Sequence, residues 1–600
     1  MMGLGARLAR EFRFLNGLAR TLWAVRKIDP ESDVLVCDDF ETAVDRFADH
    51  TALVFEDERY TYRQLDAIAN RIAAWADAQG LKRGDTVALL LPNRAEYVPA
   101  WMGLAKVGIA AALINNNLTG AALAHCLSIS NADHVIVDVQ TMTSPETIRA
   151  GLARPLTYWV LNGDGELGEN RKPLDLKTPK LAPDRPSRSR RAGLTAKDVA
   201  LYIYTSGTTG MPKAAKITHM RAQLYMRAFA GATASGPEDN LYCPLPLYHS
   251  TGGLCGVGAA LLTGATLVLR RKFSATHFWD DVAEHNCTLF VYIGELCRYL
   301  ANQPPHPKER AHKLRLAFGN GLRPDVWPDM EERFGIEHIL EFYGSTEGNV
   351  SMFNYDGKPG AIGRVPNYLR GNFAVRLVKF DVESEMPIRG PDGLCQLADV
   401  GETGEAIGLI KDDARHNYTG YADKAASERK VLRDVFERGD AWFRTGDLMR
   451  QDDEGYFYFV DRIGDTFRWK GENVSTTEVA EVIARYPGVD EAIVYGVKVD
   501  KLDGRTGMAA ITPGEHFALD GLRDYLAREL PPFARPIFIR IQPVMETTGT
   551  FKYRKIDLVR DGFDPAKIEQ PVYFEQPGEA HYVQLTPELY RRIQGGEFRL

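Results

Sequence analysis

Three short segments carry side chains that could act together on a phosphorylated ligand. Thr205-Ser206-Gly207-Thr208-Thr209-Gly210-Met211-Pro212-Lys213 directly follows the apolar strand end Tyr202-Ile203-Tyr204. Its glycines let backbone N–H groups turn inward, its hydroxyls add donors and Lys213 adds a point charge, a combination that suits a polyphosphate. The Gly-to-Lys spacing and the residue after the lysine exclude the Walker pattern. Tyr343-Gly344-Ser345-Thr346-Glu347-Gly348 ends a second strand, offering an aromatic face to a base and a carboxylate to the Mg²⁺ that accompanies ATP. Phe443-Arg444-Thr445-Gly446-Asp447-Leu448 sets Asp447 on a turn, where it can accept from two ribose hydroxyls. Each segment alone could be a glycine turn with a solvated acid. The three together point to one nucleotide site.

The elements that must position these residues alternate short apolar, β-branched runs with longer helical segments. Val87–Leu91, His134–Asp138, Val199–Thr205, Thr266–Leu269, Thr288–Ile293 and Leu314–Phe318 read as buried strands, which predicts α/β layers with sheets covered on both faces. Gly163 to Arg191, rich in Pro, Lys, Arg and Gly, reads as a surface loop or a connection between subdomains. Beyond about Asp461 the pattern becomes a compact α+β unit, with helices Thr476–Arg485 and Leu519–Glu529 and strands Ala492–Val497, Met508–Thr512 and Ile537–Gln542. A chain of 600 residues exceeds the ~250–300 at which single cores stop growing, so several domains are expected.

A formal charge of -7 supplies no electrostatic drive towards nucleic acid. The seven cysteines are scattered without C-x-x-C spacing, which argues against a zinc site or disulfide framework and fits a reducing, cytoplasmic location. Tyr97 to Ile114 is long and apolar but contains Pro99 and Lys106, so it reads as a core helix; a lysine within a membrane span costs roughly 2.5–3.5 kcal/mol. In residues 1–28, Arg7, Arg10, Arg13, Arg20, Arg26 and Lys27 interleave with Leu8, Phe12, Phe14, Leu15, Leu18, Leu22 and Trp23. This basic amphipathic segment either makes peripheral contact with the inner face of a membrane or packs on the domain with its arginines in water.

The three motifs, in this order and spacing, resemble the adenylate-forming superfamily over about Phe40 to Asp557. Asp465-Thr466-Phe467-Arg468-Trp469-Lys470-Gly471-Glu472-Asn473-Val474 and Thr547-Thr548-Gly549-Thr550-Phe551-Lys552 are similar to signatures of its very-long-chain acyl-CoA synthetase, or fatty acid transport protein, subgroup. The resemblance implies an α/β fold with a large adenylation domain of layered sheets (31–463), preceded by segment 1–30 and followed by a smaller mobile α+β domain with a tail (464–600). It also implies ATP, Mg²⁺ and coenzyme A as cofactors and fatty acid as substrate. Thr205, Ser206, Gly207, Thr208, Thr209, Gly210 and Lys213 would hold the β- and γ-phosphates. Gly319, Asn320 and Gly321 would flank the adenine under Tyr343, with Gly344 and Ser345 in the same turn. Thr346 would touch the α-phosphate, Glu347 and Thr208 the metal, and Asp447 and Arg462 the ribose.

In that chemistry a carboxylate attacks the α-phosphorus, and the thiol of coenzyme A then displaces AMP. Both first-step reactants are anionic, so Lys552 would supply positive charge together with Mg²⁺. The small domain would rotate between steps, withdrawing Lys552 and presenting Lys470 and Gly471 to the CoA arm. Gly464 stands where relatives carry an Asp or Lys pivot, with Asp465 next, and glycine suits a large backbone change. Phe551 precedes Lys552 where relatives have glycine, and Lys555 lies three residues on as the alternative lysine. His249, Gly252 and Gly253 match a segment beside the acyl tunnel; the small residues leave room for an alkyl chain or permit close helix packing. The activity implied is long- or very-long-chain fatty acyl-CoA synthesis, which can also drive uptake by trapping the acid. The rivals are a fatty acyl-AMP ligase serving a carrier protein and a non-catalytic lipid carrier or uptake protein.

Overall fold

The computed structural model describes residues 4–141, 152, 155–161, 163, 170–176, 184–205, 211–500, 502, 504–545, 555–598 and 600. The chain divides into two compact units, one of residues 1–374, 408–432 and 441–443, the other of residues 375–407, 433–440 and 444–600.

Two sheets organise the first unit, as the alternating apolar runs predict. The first has seven strands in the order Arg171–Leu174, Thr157–Leu161, His134–Asp138, Thr86–Leu90, Ala110–Leu113, Val199–Thr205 and Lys213–Thr218. Its neighbours are parallel except for the last pair. The second has eight strands in the order Ser351–Asn354, Ile339–Gly344, Leu316–Asn320, Leu289–Ile293, Asn240–Cys243, Thr266–Leu269, Thr51–Phe55 and Glu58–Thr61. Only its two edge pairs are antiparallel. Central strands buried on both faces explain the unbroken apolar runs.

Two segments fold differently from expectation. The apolar stretch from Tyr97 is a fully buried helix only to Lys106; Gly108 then adopts φ +77° and the chain turns into strand Ala110–Leu113. Lys106 is buried and held by Asp66 at 2.5 Å, Asn70 at 2.7 Å and Glu41 at 3.1 Å, so its charge is paired within the fold. The stretch from Gly163 to Arg191, read as a loop or connection, instead contributes the edge strand Arg171–Leu174; further on, Arg185 bonds Asp66 at 2.9 Å and Arg191 bonds Asp38 at 2.5 Å.

From residue 444 onward strand Ala441–Gln451 belongs to the second unit, where it pairs with Tyr456–Arg462 so that Asp447 stands opposite Arg462. A two-strand ribbon, Phe467–Trp469 with Glu472–Val474, follows. The C-terminal sheet runs Val489–Val497, Thr506–Pro513, Phe538–Ile541, Val572–Phe574 and Val583–Gln584, so the polar tail contributes its last two strands. Helices Thr476–Ala484 and Leu522–Glu529 cover it; the predicted second helix begins as a 3₁₀ turn at Leu519–Gly521. Their apolar faces join the strand interiors in one core that includes Ile483, Met508, Leu526 and Phe538.

Candidate functional site

Helix His219–Thr233 supplies the support for the Tyr343 motif. Its N-cap Thr218 accepts from the backbone N–H of Arg221 at 3.2 Å, fixing the first turn. Arg221, largely buried, reaches from that turn to the loop after strand Ile339–Gly344. Its guanidinium donates to the carbonyls of Thr346 and Ser345, each at 3.0 Å, and to that of Gly348. Tyr225, one helical turn further, donates to the Ser345 carbonyl at 2.7 Å. Five donors in a rigid fork match such a cluster of carbonyls. The consequence is a turn whose side chains, Thr346 and Glu347, have little freedom of position.

Glu347 is connected in turn to the ends of the phosphate-loop segment. The Tyr421 hydroxyl donates to Glu347 Oε1 at 2.7 Å, and Thr205 bonds the same phenol. Lys213 places its ammonium 5.6 Å from the centre of the Tyr421 ring. Burial, then the neighbouring Glu347 charge, pushes the Tyr421 hydroxyl well above its ordinary range, so it is a fixed donor. Segment 420–422 is seated on strand Lys213–Thr218 by backbone bonds, Lys216 N–H to Gly420 at 3.0 Å and Ala422 N–H to Ala214 at 2.8 Å. Thr205 and Lys213 are themselves cross-strand partners. Ser206, Gly207, Thr208, Thr209 and Gly210 lie outside the described residues, as does Lys552.

The adenine candidates sit at the end of strand Leu316–Asn320. Gly321 has φ +83°, and a Cβ on Gly294 would stand 1.6 Å from the Gly321 carbonyl oxygen, so both positions require glycine. Glu341, fully buried on the adjacent strand, accepts from the N–H groups of Gly321 at 3.1 Å and Leu322 at 2.8 Å and from the Tyr292 hydroxyl at 2.8 Å. Burial outweighs these three donors and raises its carboxyl to about 8. The Asn320 Oδ1 is buried and takes no hydrogen bond among the described residues.

Ser250 joins the His249 segment to this centre, its hydroxyl 3.2 Å from that of Thr346. Residues Thr251–Gly256 form a π-helical turn, a distortion often found at functional sites. His249 packs against the Tyr248 ring at 4.6 Å. A Cβ on Gly252 would lie 2.8 Å from the Pro246 carbonyl oxygen, and one on Gly253 2.0 Å from that of Leu247. These glycines therefore serve close backbone packing, one of the two readings that small side chains allow.

Asp447 and Arg462 belong to the second unit, where Arg462 Nε lies 3.7 Å from Asp447 Oδ1. Gly464 has φ +91° in the turn after Arg462, which Asp465 N–H closes on the Arg462 carbonyl at 3.1 Å. Lys470 and Gly471, with φ +53° and +83°, are the exposed two-residue turn of the ribbon, the geometry that matches strand twist. Lys555, the alternative lysine, lies 3.2 Å from Asp465 Oδ2 and donates to Thr476 Oγ1 at 2.8 Å. Buried Asp461 completes this cluster, accepting from Thr476 N–H at 2.6 Å and Thr466 Oγ1 at 3.2 Å, and burial raises its carboxyl. Arg221, Tyr225, Glu341 and Tyr421 carry no local motif and are absent from the sequence-derived set. Among the described residues no cluster of three His, Cys, Asp or Glu could hold a metal ion. A lone carboxylate such as Glu347 nevertheless fits Mg²⁺, which keeps waters and takes phosphate oxygens beside one or two carboxylates.

Comparison with known proteins identifies the family. The AMP-binding enzyme family matches residues 40–394, and its C-terminal domain matches residues 478–552. Long-chain fatty acid transport protein 6 of Mus musculus is 42% identical over 572 residues, 93% of this chain and 91% of that protein. Long-chain fatty acid transport protein 1 of Homo sapiens is also 42% identical, over 94% of this chain and 88% of that protein. The chain belongs to the AMP-binding enzymes and, within them, to the long-chain fatty acid transport proteins. Among solved structures, a benzoate CoA ligase from Burkholderia xenovorans has a TM-score of 0.73 at 21% identity, covering 88% of this chain and 100% of that one. The Mycobacterium tuberculosis fatty acyl CoA synthetase has a TM-score of 0.60 at 26% identity, covering 88% and 98%. The fold is therefore that of the adenylate-forming enzymes, α/β in class, with a large N-terminal and a smaller C-terminal domain.

Proposed function

We propose that this protein is an ATP-dependent, AMP-forming fatty acyl-CoA synthetase that takes long or very long acids and releases their coenzyme A thioesters. The observation that carries the reading is the Thr346–Glu347 turn. It is bonded on one side, through Tyr421, to Thr205 at the start of the phosphate loop, and on the other, through Thr346, to Ser250 beside His249. A carboxylate entering by the His249 segment would thus meet the α-phosphate where Thr346 stands. The names of the relatives, long-chain fatty acid transport proteins and a fatty acyl CoA synthetase, support the acid class.

In this reading Lys213 and the loop from Thr205 hold the departing pyrophosphate, and Tyr343 stacks on adenine. Asn320 Oδ1 accepts from the exocyclic amine, for which a buried acceptor without a partner is suited. Asp447 and Arg462 bind the ribose. Magnesium, when bound at Glu347, neutralises phosphate charge. Lys552 supplies the remaining positive charge at the α-phosphate, a role supported by the engagement of Lys555 with Asp465 and Thr476. The moving body is 464–600, pivoting at Gly464, and Lys470 with Gly471 faces the CoA arm in the second step. The same ligation, by trapping acid as thioester, draws further acid inward by mass action.

The test omits coenzyme A: enzyme, ATP, Mg²⁺ and palmitate should form acyl-adenylate, trapped as hydroxamate, with stoichiometric pyrophosphate. Glu347→Gln should lower that rate by at least about tenfold while leaving the fold intact. Hydrolysis to ADP and phosphate, or no hydroxamate, would refute the reading.

A further inference from the structure

Helix Leu4–Val25 has two faces, and only one belongs to the domain. Arg10, Phe14, Gly17 and Thr21, spaced four, three and four residues apart, form the inner stripe and are buried. Gly17 lies so close to the Tyr355 ring that a Cβ would stand 2.4 Å away; Tyr355 also donates to Thr21 Oγ1 at 2.7 Å and packs edge-on against Phe14. The helix is therefore clamped in one rotational setting.

That setting turns a second apolar stripe outward. Leu8, Phe12, Leu15, Leu22 and Trp23 recur at helical spacing on the opposite side; Leu8 is 62%, Phe12 69% and Trp23 66% exposed. Arg7, Arg13, Arg20, Arg26 and Lys27, all exposed, flank the stripe and its end. Arg26 sits 3.5 Å from the centre of the Trp23 ring, an aromatic–cation pair suited to the boundary between lipid tails and headgroups. The one acid of the helix, Glu11, is neutralised from within by Arg364 at 2.5 Å and accepts from the Tyr368 hydroxyl at 2.9 Å, leaving the outward side purely basic. No helix among the described residues is long and apolar enough to cross a membrane. A helix lying in the interface plane needs only an outward apolar face rimmed by cations.

We infer that this helix docks the protein on an anionic lipid surface, with Leu8, Phe12, Leu15 and Trp23 inserted among the acyl chains and the arginines on the headgroups. The charge pattern selects this occupant: a purely basic rim repels the same rim on a second copy but complements acidic lipid.

The test is sedimentation of the full-length protein with vesicles of phosphatidylcholine plus phosphatidylserine, against phosphatidylcholine alone. The mixed vesicles should carry the protein down, and either high salt or omission of phosphatidylserine should reduce the bound fraction by roughly tenfold. Combined Leu8→Ser, Phe12→Ser and Trp23→Ser should abolish binding, and Arg7→Gln with Arg13→Gln should weaken it. Both variants should retain wild-type melting and adenylation of a short, water-soluble acid, since the inner face is untouched. Absence of vesicle binding, equal binding to neutral vesicles, or binding unaffected by the serine variant would overturn the inference. So would a dimer in solution that the serine substitutions dissolve while vesicles remain unbound.

Discussion

Arg221→Lys is the sharpest probe of how the nucleotide turn is built. The substitution keeps the charge and most of the stem but replaces a planar fork by a single ammonium. The native guanidinium serves the carbonyls of Ser345, Thr346 and Gly348. A lysine can satisfy about one of them well, so two hydrogen bonds to a charged donor are lost at roughly 1.5–3 kcal/mol each. Tyr225 continues to hold the Ser345 carbonyl at 2.7 Å, which limits the net loss to about 2–3 kcal/mol. If that energy positions Thr346 and Glu347 for reaction, kcat/KM for adenylation falls by roughly 30- to 160-fold. The assay is pyrophosphate release at saturating acid with ATP varied, alongside a thermal melt. Tyr225→Phe is the companion variant, with one bond lost and about a fivefold effect expected. A Lys variant that is less stable yet adenylates with wild-type kcat and KM would refute the reasoning, because the turn would then be structural and not a positioning device.

Other outcomes follow from the same geometry. Lys552→Ala should abolish adenylation, measured as pyrophosphate release, while largely sparing thioester formation from supplied acyl-adenylate. Glu341→Gln sets an amide –NH₂ against the Gly321 N–H, and losing that bond at about 1 kcal/mol should raise KM for ATP roughly fivefold with little change in kcat. Because folding raises this carboxyl from 4.5 to about 8, its contribution to stability is full below about pH 4.5 and lost as pH rises through about 8. Denaturant unfolding of wild type against the non-titrating Gln variant should show that slope in their difference. Lys555→Met removes the ion pair to Asp465 and the bond to Thr476. It should leave pyrophosphate release within about threefold of wild type and change thioester formation more, since the affected turn carries Gly464.

What could be read from the chain follows from what each signal measures. Buried parallel strands announce themselves as apolar, β-branched runs, and His134–Asp138, Val199–Thr205 and Thr266–Leu269 fall at their expected bounds. A continuous apolar run has no period, so nothing in Tyr97–Ile114 separates its helix from its strand except Gly108. The chemistry-bearing motifs were legible because glycines, hydroxyls and charges lie adjacent in the chain. Their supports were not. Arg221 meets Thr346 across 125 residues and Tyr421 meets Glu347 across 74, separations over which a sequence carries no local mark. Glu341 was hidden for a different reason, since a glutamate within a strand reads as solvated until the fold encloses it. The N-terminal helix could be read as lipid-facing or packed, and the structure packs Arg10, Phe14, Gly17 and Thr21 on one stripe while leaving the opposite stripe, with the other arginines beside it, uncovered.

The measurement that bears most directly on the central claim is product analysis across straight-chain acids from acetate to lignocerate, with ATP, Mg²⁺ and coenzyme A present. Equal amounts of AMP and acyl-CoA, with kcat/KM rising steeply into the long-chain range, are the predicted result. AMP without acyl-CoA, or a preference for acetate or an aromatic acid, would contradict it.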